Sequence, residues 1–336
     1  MKSKNSKISK ILANIGKSLI MPVAVYVIFT IATAGKFGSG SIMVTVLRTM
    51  VVPMLIAMAM SMHMTMDMWD FSSGAVVYAA AILGASVAAA TGTGVLGLCI
   101  SAMLIALLMT AFSGFLYNVM KIPALVLTIG LVMVYESFPR LIVATGCGQI
   151  AQRDGYLAQA PWCFIFFIVM YIIFYFVYNF TVFGNNVRAI GANQPIAYSA
   201  GVDLSRVKFF SFLFGGVFLG VAAILQMSMN VRLYVASSMS SISLIFDPMM
   251  GVFIAFFLSK YCGYTIGLLI GTFTMRMLST GLVSCGLSAT ARSIVTGFFL
   301  LTILCFSSNQ GRLEAWKMRK KLKEEVTQEL LINSSN

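Results

Sequence analysis

Charge is scarce in this chain. Only 10% of its 336 residues are Asp, Glu, Lys or Arg, there is one histidine, and 59% of the residues are hydrophobic. A soluble globular domain carries about a quarter charged residues, so that class is excluded. The six cysteines (Cys99, Cys147, Cys163, Cys262, Cys285, Cys305) form no C-x-x-C pair and have no histidine partners. Neither a zinc site nor a disulfide framework is indicated, and the thiols read as free. There is no phosphate-binding G-x-x-x-x-G-K-[ST] loop, no H-E-x-x-H, no Rossmann glycine pattern and no catalytic triad. An enzyme reading has nothing to stand on: no catalytic residue, metal site or cofactor is expected in this chain. The formal net charge of +13 could point to nucleic acid. Its placement argues otherwise, because the basic residues flank apolar runs rather than gather on a separate domain.

Long apolar runs fill most of the remainder, and mean hydropathy is +0.93. A helix needs about 20 apolar residues to cross roughly 30 Å of hydrocarbon. On that basis the chain is an all-α polytopic membrane protein with about ten transmembrane helices. The expected spans are 19–35, 42–62, 72–91, 94–113, 122–138, 160–180, 207–229, 242–259, 264–283 and 289–307. The third and fourth are separated only by Gly92-Thr93-Gly94, which leaves open one broken segment or a re-entrant one. The domain reading is a basic N-tail at 1–18, a transmembrane domain at 19–308 and a charged C-tail at 309–336. The N-tail carries Lys2, Lys4, Lys7, Lys10 and Lys17 ahead of the first apolar run. No small-residue cleavage site stands out, so that run reads as an uncleaved first helix.

An even helix number puts both basic tails in the cytoplasm, as the positive-inside rule prefers. The tails supply most of that preference. The internal loops, with Lys121, Arg188, Arg206, Lys208 and Lys260 on one side and Lys36, Arg48, Arg140, Arg153, Arg232 and Arg292 on the other, are nearly balanced. The longest outer connection runs over 137–159.

One polar island interrupts the apolar chain, from Phe183 to Lys208. Asn193 is a good helix N-cap and Pro195 fits a first turn. Gly201 can close the helix in the left-handed conformation, and Asp203 or Ser205 can cap the next one. The expectation is a short helix at about 191–201, within a cytoplasmic loop at 183–206, on which another protein pushes.

Ionisable residues within spans are candidates for function. His63, Asp67 and Asp70 lie between the second and third spans, followed by Ser72, Ser73 and Gly74. A broken element lining a path and a surface loop with Asp70 as a helix cap are both open here. Asp247 precedes Pro248 early in the eighth span, and Arg276 sits within the ninth, where pairing with Asp247 is expected. Asp70…Gly74 and Asp247…Gly251 share a spacing, a hint of two related, inverted halves. Glu136 and Arg140 stand four apart and are expected to form a salt bridge. Met58, Met60, Met62, Met64, Met66 and Met68 alternate, which on a helix gives no shared face, so they read as apolar filler rather than metal ligands.

Three segments carry a resemblance. They are Phe183-Gly184…Ala189-Ile190-Gly191-Ala192-Asn193…Ala197…Ser199-Ala200-Gly201-Val202, Asp70-Phe71-Ser72-Ser73-Gly74, and Ile122-Pro123-Ala124…Thr128-Ile129-Gly130. In order and spacing they resemble the permease subunits of ribose-type sugar ABC importers, within the branched-chain-amino-acid/ribose permease superfamily. The chain departs from that family at Asn185, where an arginine is usual, at Ala200, which displaces the following glycine, and over Phe257–Gly263, which replaces a glycine-rich stretch. The resemblance implies a permease subunit of the bacterial plasma membrane, multi-pass with both termini cytoplasmic, translocating a sugar or similar small polar solute. It implies cytoplasmic ABC ATPase subunits that bind the ATP, a second permease subunit and an extracytoplasmic solute-binding protein as partners. ATPase coupling would fall to Gly184, Arg188, Ala189, Gly191, Asn193, Ala197 and Gly201. Path candidates are Asp70, Ser72, Gly74, Asp247 and Arg276. Nucleosides or branched-chain amino acids are alternative cargoes, and an ion-coupled secondary transporter is the alternative mechanism.

Overall fold

The computed structural model describes residues 2–288, 290–299, 301, 302, 305 and 318. Met1–Gly286 form one compact unit, and the chain from Leu287 onward forms a second. The first unit is built of eleven α-helices with two short strands. In chain order they are α1 (Lys2–Ala32), α2 (Gly40–Thr65), α3 (Ser72–Thr91), α4 (Gly94–Met120), α5 (Ala124–Ile142), β1 (Cys147–Gln149), α6 (Trp162–Phe180), α7 (Val182–Ala192), α8 (Gln194–Ser199), α9 (Leu204–Asn230), β2 (Arg232–Tyr234), α10 (Ser243–Leu258) and α11 (Tyr264–Ser284).

Eight helical segments among the described residues are long and apolar enough to cross a membrane, and Ser18–Ala32 adds a shorter apolar one. The protein is therefore an all-α multi-pass membrane protein. The expected span at 289–307 lies partly outside the described residues, of which 290–299 are helical. Residues 2–18, expected as a tail, continue α1, while the expected C-tail at 309–336 lies outside the described residues except for Met318. No disulfide links the described residues. The third and fourth spans are separate helices, because Gly92 and Gly94 both take positive φ and turn the chain between them.

α2, α3, α9 and α10 are the most buried spans, and α4, α5 and α6 keep broad apolar faces exposed. On α4 the exposed face is the stripe Leu96, Ile100, Leu104 and Leu108, spaced four apart. With lipid as apolar as leucine, helices associate through close backbone packing. Gly84 lies against Ala102 between α3 and α4, and Gly271 against Gly251 between α11 and α10. The alternating methionines of α2 and its exit are all buried. They fill space among these helices, as the filler reading expects.

One order of elements occurs twice. A long helix (α2, α9) leads into a non-helical connector (66–71, 231–239), a shorter helix (α3, α10), a tight turn and another long helix (α4, α11). The packing is reciprocal: α3 lies on α4 and α9, and α10 on α11 and α2. The segment expected as an outer loop over 137–159 is more ordered than that. α5 continues to Ile142, β1 pairs antiparallel with β2 through Gly148 and Leu233, and Gln152–Ala158 forms a 3-10 turn. Three-residue strands leave no periodicity to read in a sequence.

Candidate functional site

Two regions hold the sequence candidates: a surface element at one end of the bundle, and an interior where helices start inside protein. The surface element is the polar island. It is two helices rather than one. Thr181 Oγ1 accepts from Gly184 N at 3.1 Å and starts α7, so Gly184, Arg188, Ala189 and Gly191 belong to that helix. Asn193 closes α7 and caps α8, its Oδ1 accepting from Ile196 N at 3.1 Å. α8 ends in a Schellman turn, with Val202 N donating to Ala197 O at 3.1 Å and Gly201 N to Tyr198 O at 3.0 Å. Gly201 has φ +86°, the left-handed conformation that a Cβ disfavours. Asp203 then caps α9 by accepting from Arg206 N at 3.1 Å.

The island is seated on the bundle. A Cβ on Gly191 would lie 2.0 Å from Thr65 O, so only glycine lets α7 touch the end of α2. Gln194 Nε2 donates to Met66 O at 3.4 Å, and Lys208 Nζ bridges Gln194 Oε1 and Tyr117 OH, each at 3.5 Å. Ala197 is buried, whereas Ile196 and Tyr198 are 65% and 70% exposed. Arg188 donates to Asn185 Oδ1 and lies over the Tyr178 ring, 5.8 Å from its centroid. Asn185 thus holds Arg188 against the end of α6.

The connector after α2 exposes Asp67 but buries Met66, Met68 and Asp70. Asp70 is 2% exposed. Its Oδ1 accepts from Ser72 N at 2.9 Å and Ser72 Oγ at 2.6 Å, and its Oδ2 accepts from Ser73 Oγ at 2.7 Å. A carboxylate at a helix N-terminus is favoured by the helix dipole and the unpaired amides there. Thr128 on α5 pins the same connector, accepting from Phe71 N at 3.2 Å and donating to Trp69 O at 3.1 Å. His63, on the last turn of α2, brings Nδ1 to 3.8 Å from Asp70 Oδ2 and packs its ring on Phe212, with 4.4 Å between centroids.

Glu136 does not pair with Arg140, which is exposed. Its carboxylate accepts from Met239 N at 2.9 Å and Ser241 N at 2.8 Å. It thereby caps the 3-10 turn Ser240–Ile242 that leads into α10. Backbone amides buried without water need such a partner, and that need outweighs a surface ion pair. The starts of α3 and α10 meet here: a Cβ on Gly74 would lie 2.4 Å from Ser241 O. Asp70 and Asp247 are therefore not counterparts. The residue matching Asp70 in capping role is Glu136, while Asp247 lies inside α10.

Asp247 and Arg276 do pair, with Nη1 3.9 Å from Oδ2. Ser279 Oγ donates to Asp247 Oδ2 at 2.8 Å, and Arg276 Nε donates to Thr49 Oγ1 at 3.0 Å. The five path candidates thus fall into two groups: Asp70, Ser72 and Gly74 around the start of α3, and Asp247 with Arg276 among α2, α10 and α11. Sequence reasoning missed Glu136 as a cap, named Thr128 only within a family-like segment and not as a partner of the connector, and missed Thr49 and Ser279 altogether. No cluster of three or more His, Cys, Asp or Glu suited to a metal ion occurs among the described residues.

A multi-pass bundle whose non-helical connectors carry helix starts against one another inside the protein is an architecture of membrane transport proteins. The chain belongs to the family described as branched-chain amino acid transport system / permease component, whose model matches residues 42–304. Among curated proteins it is similar to the probable ABC transporter permease protein YphD of Escherichia coli (strain K12), 27% identical over 148 residues, 44% of each chain. It is also similar to the ribose import permease protein RbsC of Bacillus subtilis (strain 168), 28% identical over 174 residues, 51% of this chain and 53% of that one. The autoinducer 2 import system permease protein LsrC of Yersinia pseudotuberculosis serotype O:1b (strain IP 31758) is 25% identical over 240 residues, 66% of this chain and 64% of that one. The chain thus spans between about two fifths and two thirds of the length of these relatives. No solved structure matches.

Proposed function

We propose that this chain is the membrane-spanning permease subunit of an ABC importer for a sugar or similar small polar solute. The observation that carries the reading is α8. It is capped at both ends and anchored to the end of α2, yet it turns Ile196 and Tyr198 outward. A six-residue helix is marginal alone, and exposed apolar side chains on a polar island suit a protein groove. Family membership and the names of the relatives, ribose and autoinducer 2 import permeases, point the same way. In this reading ATP is bound and hydrolysed by separate cytoplasmic subunits docked on α7 and α8. Both termini are cytoplasmic, a second permease subunit completes the pathway, and a solute-binding protein delivers cargo from the opposite face. Gly184 and Gly191 shape the seat of the island, Arg188 and Ala189 lie on the exposed side of α7, and Asn193, Ala197 and Gly201 fix α8. The ion-coupled alternative is disfavoured at Asp70, where both carboxylate oxygens are occupied by the start of α3.

The test is co-purification. The tagged chain, extracted from its own membranes, is expected to bring down an ATPase with Walker motifs. The pair Ile196→Asp and Tyr198→Asp is expected to reduce recovery of that ATPase at least tenfold without shifting the permease's thermal midpoint. Solute uptake that persists in vesicles holding no associated ATPase sinks the reading.

A further inference from the structure

The Asp247–Arg276 pair is not closed. At 3.9 Å its nearest nitrogen and oxygen are too far apart for a hydrogen bond. Thr49 takes Arg276 Nε and Ser279 holds Asp247 Oδ2. Asp247 Oδ1 and the Arg276 Nη groups have no hydrogen-bond partner among the described residues, and the two side chains are 25% and 29% exposed. The edge of the pair therefore presents one free acceptor beside free donors, with both charges already compensated.

Depth restricts what can meet this edge. Arg276 lies twelve residues along α11 from Tyr264, about 18 Å at 1.5 Å per residue, roughly halfway through the hydrocarbon. A charged pair there is not tolerated facing lipid tails and belongs on a cavity or on covering protein.

We propose that this edge is a hydrogen-bonding station for an uncharged polyhydroxylated solute on its way through the membrane. Neighbouring hydroxyls of a polyol can donate to Asp247 Oδ1 and accept from Arg276 while the pair stays together. A zwitterionic amino acid would have to separate the two charges to match its own ammonium and carboxylate, against their attraction in a low-dielectric site. An anion or cation would leave one partner uncompensated. The inference rests on the permease reading and adds to it the residues that hold cargo.

The full-length chain in lipid nanodiscs is examined by saturation-transfer NMR with ribose and xylitol as probes and leucine as comparator. Transfer to both polyols and none to leucine is expected. The double variant Asp247→Asn with Arg276→Gln, which removes both charges and leaves none unpaired, is expected to weaken the polyol signals at least fivefold. Ser279→Ala is expected to weaken them twofold to threefold, and it carries the test if the double variant does not fold. Polyol signals indifferent to these changes, no polyol signal at all, or a leucine signal that depends on the pair each overturn the inference. The path itself is read separately, by reaction of Ser279→Cys, in a version whose six native cysteines are replaced by serine or alanine, with a water-soluble methanethiosulfonate in proteoliposomes. Reaction without polyol binding overturns the station alone. A protected thiol overturns the station and its place on a path together.

Discussion

At the scale of the residue, the carboxylates show what a sequence reveals and what it hides. That Asp70, Glu136 and Asp247 needed partners followed from their positions among apolar runs. Which partners they found did not follow equally. Asp70 uses Ser72 and Ser73, two and three residues on, and such local capping is legible in the letters. Glu136 uses amides at Met239 and Ser241, more than a hundred residues away. The sequence offered only Arg140 on the same helix, and backbone donors carry no side-chain signature. Glu136→Ala is expected to leave one buried and one half-buried amide unpaired and to lower stability by about 2–6 kcal/mol, at 1–3 kcal/mol per unsatisfied group. Arg140→Ala, at an exposed site, is expected to stay within about 0.5 kcal/mol. Thermal or denaturant unfolding in a fixed detergent compares the two. Equal losses would restore the ion pair and remove the cap.

The helix is the next scale, and here the spans were the most legible feature because composition alone dictates them. The short helix was legible too, since Asn193, Pro195, Gly201 and Asp203 are local signals. What the letters did not give was α7. Its polar sequence looked like loop, and it is helical because Thr181 caps it and because Val187 and Ile190 bury against the bundle. The seating of α8 predicts a division of labour between caps and surface. Asn193→Ala is expected to cost about 1 kcal/mol of helix stability. Gly201→Ala is expected to cost somewhat more than the 0.4–1 kcal/mol that the same change gains at an unstrained site, because φ is positive there. Both are expected to loosen α8 while leaving the spans intact. Hydrogen exchange should show faster exchange over 194–202 and no change in α2 or α9. Faster exchange spread through α9 would mean that the caps support the bundle rather than the short helix.

At the scale of the whole first unit, α9 ties two different ends together. It begins at the polar island with Asp203 and reaches β2 at the other end, about 40 Å away for 27 residues at 1.5 Å each. Single-cysteine versions carrying either Tyr198→Cys or the native Cys147 of β1 are expected to react with a membrane-impermeant maleimide from opposite sides of sealed vesicles. Reaction of both from one side would refute the arrangement. The topology was only partly legible beforehand, since the basic residues of the internal loops are nearly balanced between the two ends. The doubling of long helix, connector and short helix was only hinted at, because the matching spacing of Asp70 and Asp247 proved to be the wrong correspondence. Reciprocal packing, not a shared motif, is what relates the halves.

The glycine contacts have a mechanical meaning of their own. At Gly191 against Thr65 and at Gly74 against Ser241, main chain rests on main chain with no side chain between them. Side chains act as cushions, since rotamers can change and absorb a small displacement. Two bare backbones have no such compliance. A stroke delivered to α7 would pass through the end of α2 with little taken up at that joint, and α3 would hand it to the start of α10 in the same way. The linkage resembles meshed teeth more than a spring, so its travel is set by geometry and not by how well the neighbouring side chains happen to pack.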